Sequence, residues 1–147
     1  MNAWTTSVLA VTLLTFAGET EAIRKDKAAL QGTWKVTMSE QDGEKVPAGD
    51  LKDLFLVFKG DAISIKEGGK AEEKFAFQID PTKKPKEIDL TIKFGPAKGR
   101  VDRAIYQLDG DTLRICIQSA KNAPRPDEFS TRPASKLWLV VMQRTKE

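Results

Sequence analysis

In Glu87-Ile88-Asp89-Leu90-Thr91-Ile92-Lys93-Phe94 polar and apolar residues alternate without exception. A period of two is what a strand needs when one face meets a core and the other meets water. The same pattern recurs in 32–39, 61–66, 74–79 and 112–118. Three further segments, 54–58, 101–108 and 137–142, are apolar on both faces or less regular, which suits strands with something packed on their outer side. Between these segments stand turn formers: Lys59-Gly60-Asp61, Glu67-Gly68-Gly69, Pro81 to Pro85, Gly95 to Gly99 and Asp109-Gly110-Asp111. Short turns join neighbours, so the chain reads as about eight antiparallel strands in sequence order. Such a meander has exposed edges unless it closes, and the expected fold is an all-β, up-and-down barrel. One or two short helices are expected beside it, over Val46 to Leu54 and Arg24 to Gln31.

The chain's 147 residues, 40% apolar, suffice for one core and not for two. Residues 7–17 are free of charge and are followed by the small residues Thr20 and Ala22. That run is too short to span a bilayer and has the length of a secretory h-region. The expected division is a signal peptide over 1–22 and a barrel domain over 23–147, giving an exported protein, periplasmic or extracellular, with no stable membrane span after cleavage. Removing 22 of the 147 residues leaves 125, and because only Glu19 and Glu21 go with them the net charge rises from +3 to +5.

Counting narrows the chemistry. The chain has no histidine and one cysteine, Cys116, so imidazole triads, histidine-containing zinc sites and an internal disulfide are excluded. Glu72-Glu73 and Asp127-Glu128 are adjacent pairs, which a strand would point to opposite faces, and they form no acid–base couple. Asp109-Gly110-Asp111 lacks the further oxygen ligands of a calcium loop and reads as a hairpin turn. No enzyme, metal or cofactor is expected. The lysines at 83, 84 and 86 form a basic loop near which Lys93, Lys98 and Arg100 are expected to lie. Without interleaved aromatics this is not a nucleic-acid site; an anionic surface or polysaccharide is the partner class it admits.

Leu30-Gln31-Gly32-Thr33-Trp34-Lys35-Val36 resembles the G-x-W opening strand of lipocalin-type barrels, and Arg144 resembles their late basic residue. The succession LQGTWKV, DGEKVP, LVFKGD, FQIDPTKKPKEIDLTI, GPAKG, AIYQLDGDTLRICI, RPDEF and LWLVVMQR, over about residues 30 to 145, is similar to a family of small lipocalin-like domains of unknown function abundant in planctomycete bacteria. The resemblance implies an exported calycin-like barrel and no particular reaction. The tyrosine-containing second lipocalin motif is only loosely echoed by Ile105-Tyr106-Gln107, and the strands are short for a deep cup.

Alternation points Trp34, Val36, Met38, Phe58, Ile63, Ile65, Phe75, Phe77, Ile88, Leu90, Ile92, Phe94, Leu113, Ile115 and Ile117 inward. A barrel of this size is either filled by its side chains or holds one small ligand. In the ligand reading Trp34, Val36, Phe58, Phe75, Phe77, Ile92, Phe94 and Ile115 line a pocket for a small apolar molecule. In the filled reading the chain is a non-enzymatic module that contacts an envelope protein through its loops. A cation–π contact between Trp34 and Arg144 is expected to close one end.

Overall fold

The computed structural model describes residues 17–146. A helix, α1, spans Ala17–Leu30. Nine strands follow: β1 Gly32–Gln41, β2 Glu44–Lys45, β3 Leu54–Lys59, β4 Ala62–Glu67, β5 Lys70–Asp80, β6 Lys86–Ile92, β7 Val101–Asp109, β8 Thr112–Gln118 and β9 Leu137–Arg144. Eight of them form a closed antiparallel barrel in the order β1-β3-β4-β5-β6-β7-β8-β9, with β9 returning to pair with β1. The two-residue β2 only extends β1 as a short hairpin. Closure removes the sheet edges that a meander would leave open. The helix expected at Val46 to Leu54 is a single 3-10 turn, Ala48–Leu51. Most of the expected leader lies outside the described residues, and α1 runs through Ala22 without a break.

Helix α1 sits at the barrel end where β1 begins and β9 finishes. Its last carbonyls have no partner within the helix, and the barrel supplies them. The Trp34 indole N–H donates to the Leu30 carbonyl at 2.9 Å, and the Arg144 guanidinium donates to Gln31 at 2.8 Å and to Ala29. The same guanidinium lies 4.2 Å from the centre of the Trp34 ring, so the expected cation–π contact is present. Gly32 permits it: its φ is +119°, and a Cβ there would stand 3.3 Å from Arg144 Nη1.

The core follows the alternation up to a bulge in β1. Val36 pairs with Met142 but Met38 pairs with Val141, so Thr37 is the extra residue and the faces exchange beyond it. Met38, expected inside, therefore packs outside against Ile105, Cys116 and Leu139. Ser39 takes the buried place, its hydroxyl accepting the Trp138 indole N–H at 2.7 Å.

The outer cluster is covered by the segment 119–136, from which Phe129 packs on Ile105, Cys116 and Leu139. Arg125 pins this segment to the barrel, donating to the carbonyls of Ala104 at 2.8 Å and Ile88 at 3.3 Å and standing 2.8 Å from Asp89. This is the cover implied by the two-sided apolar character of 101–108 and 137–142. Cys116 is fully buried beneath it, and burial pushes its thiol above the usual range.

Candidate functional site

Five of the eight residues expected to line a pocket, Trp34, Val36, Phe58, Phe77 and Ile115, are buried together in one cluster. Phe58 and Phe77 meet edge to face with ring centres 5.4 Å apart. Phe75 is half-buried at the rim of this cluster. Ile92 is half-buried at the last position of β6. Phe94 departs from the expectation. It lies past the end of β6 and is 65% exposed, because the turn at Gly95 begins before alternation can carry it inside. The free space among Leu56, Ile63, Phe75, Leu90, Ile117 and Trp138 is about 10 Å³. That is the scale of one water molecule, far below the ~300 Å³ at which ligand pockets begin. In that part of the interior the side chains themselves fill the barrel.

A larger space lies outside. Between the β5–β6 loop and the segment 119–136 runs a groove of about 390 Å³ lined by Pro81, Lys83, Lys84, Pro85, Lys86, Tyr106, Gln107, Leu108 and Phe129. Its wall is fixed from below by α1. Asp26 accepts the Tyr106 hydroxyl at 2.7 Å and the Lys86 ammonium at 2.8 Å on the same carboxylate oxygen. Burial of the ring, with the Asp26 carboxylate beside its hydroxyl, pushes the Tyr106 phenol well above its ordinary value. The nearby Asp80 is turned into its own loop, where the Thr82 hydroxyl and backbone N–H hold its carboxyl below the usual carboxylate range.

The basic residues fall into two groups. Lys83, Lys84 and Lys86 stand at the α1 end of the barrel, whereas Lys98 and Arg100 lie in the β6–β7 connection at the other end. Lys93, just past β6, is paired there with Glu73. The expectation of one shared basic patch fails because β6 runs its full length between the two loops. Lys98, Arg100 and Lys121 line an open cleft of about 490 Å³, where Arg100 is already bound by Asp102 at 2.8 Å.

Sequence reasoning picked out the basic loop and not the residues that complete the groove. Leu108 comes beside the loop through the pairing of β6 with β7, whereas Asp26 and Phe129 arrive from α1 and from the segment 119–136, far off in sequence. The one available signal was Tyr106, the sole tyrosine, at the alternation's inward register beside a basic strand start. Among the described residues no group of three or more cysteine, aspartate or glutamate side chains is arranged to hold a metal ion. No family model, curated protein or solved structure matches the chain.

Proposed function

We propose that this protein is an exported, non-enzymatic binding module of the cell envelope that works through its outer surface, with its barrel interior serving as a packed core. The observation that carries the reading is the interior space of about 10 Å³. An apolar guest would have to displace side chains already in contact, and overpacking a well-filled core costs ~1–3 kcal/mol or more. The non-enzymatic part rests on the lack of histidine and on a cysteine that is buried and held neutral. Export rests on the charge-free run at 7–17 with small residues at 20 and 22.

An uncharged apolar fluorophore such as diphenylhexatriene tests it, since lysines contribute nothing to its binding. Wild-type protein at up to ~100 μM probe is expected to bind none. Phe77→Ala should lose about 3–5 kcal/mol of stability and open a cavity about the size of one benzene ring, which should take up benzene while still excluding the longer fluorophore. One probe molecule held per wild-type chain, with quenching of tryptophan emission, would return the barrel interior to the role of ligand pocket.

A further inference from the structure

The groove beside the basic loop has the two halves of a small-molecule site. Its volume, about 390 Å³, is at the lower end of the ~300–1,000 Å³ usual for ligand pockets. Its floor is apolar, made by Tyr106, Leu108 and Phe129, and its rim carries Lys83, Lys84 and Lys86 with no acidic residue among the lining. Lys86 is committed to Asp26. Lys83 and Lys84 are exposed and, among the described residues, have no ion-pair partner. The floor is held in advance by the contact of Asp26 with Tyr106 and by the packing of Phe129 on the outer cluster, so little ordering is left for a guest to impose.

We propose that this groove binds a small amphiphilic acid, its anionic head group between Lys83 and Lys84 and its compact apolar body on Tyr106, Leu108 and Phe129. Charge complementarity selects the head group, because two exposed ammonium groups over an apolar floor reject a cationic guest and favour an anionic one. The volume admits a body of one or two aromatic rings, and a single ring is enough to test it. The inference goes beyond the surface-module reading but shares its premise that the interior is filled.

The test compares 4-phenylbutyrate with its neutral amide, titrated into full-length or naturally processed protein and followed by backbone amide NMR shifts. The acid is expected to bind saturably with Kd of about 1 mM or tighter, with shifts centred on 81–86, 106–108 and 129, and the amide about ten-fold more weakly. The double change Lys83→Gln/Lys84→Gln, at exposed positions that leave folding intact, should weaken the acid about ten-fold and leave the amide unaffected. The pair Lys98→Gln/Lys121→Gln, at the opposite end, should change nothing. Equal affinity for acid and amide, equal losses in the two double variants, or no saturable shift up to ~10 mM would overturn the groove while leaving the filled interior standing. Shifts centred instead on Phe58, Phe77 and Leu90 would overturn both.

Discussion

Tyr106 joins three parts of the molecule through one hydroxyl, since its ring is in the core, its oxygen reaches α1 and its edge floors the groove. The folded chain holds its proton more tightly than the unfolded chain, whose phenol titrates near 10.0. A raised folded value means that stability is complete below pH 10 and falls as pH climbs past it, where the unfolded chain ionises and the folded chain does not. Tyr106→Phe should lose about 0.5–1.5 kcal/mol at neutral pH, the worth of a hydrogen bond whose partner keeps Lys86. It should also show a shallower alkaline decline than wild type; urea midpoints at several pH values that fall in parallel for both chains would remove Tyr106 from the account. Residues of this kind differ in how far a sequence betrays them. Trp34 was legible from the alternation of its strand, and its contact with Arg144 only through the resemblance of Gly32-Thr33-Trp34 and a late arginine to lipocalin-type barrels. Met38 was not, because polar and apolar residues go on alternating through the bulge and only the partner strand β9 sets where the faces exchange.

Among the elements, the strands were the easiest to read and the covering segment the hardest. Two-sided apolar character announced that something lay over β7 and β9, but nothing in 119–136 itself spells out a cover, since it holds by single anchors: Phe129 in the outer cluster, Arg125 on β6 and β7, and the Thr131 hydroxyl donating to Glu40 at 2.6 Å. Helix α1 divides in a similar way. Its described side-chain hydrogen bonds and ion pairs to the barrel start at Asp26 and continue through Lys27, with the carbonyls of Ala29 and Leu30 completing the set. A chain beginning at Ile23 is therefore expected to melt within about 3 °C of the full chain. One beginning at Gln31 also loses the fully buried Leu30, and should melt about 10 °C lower. Equal melting of all three chains would show that α1 contributes nothing to the barrel.

At the scale of the whole molecule, everything depends on β9, which pairs β8 on one side and β1 on the other. Ending the chain at Lys136 would leave two unpaired strands with apolar faces, a template for aggregation. Such a truncation should show no cooperative urea transition and should pellet from solution; a soluble, cooperatively melting product would mean that the remaining strands close without it. The order of synthesis gives this closure a further meaning. The eight residues Leu137–Arg144 are made after every other strand of the barrel, and the contacts they make reach back more than a hundred positions to Trp34 and Val36. Such distant pairing is slow to form and impossible before its second half exists. Until β9 is made, the polypeptide stays an unlatched thread, the form that the proposed export requires, since a narrow pore admits a thread and not a finished barrel.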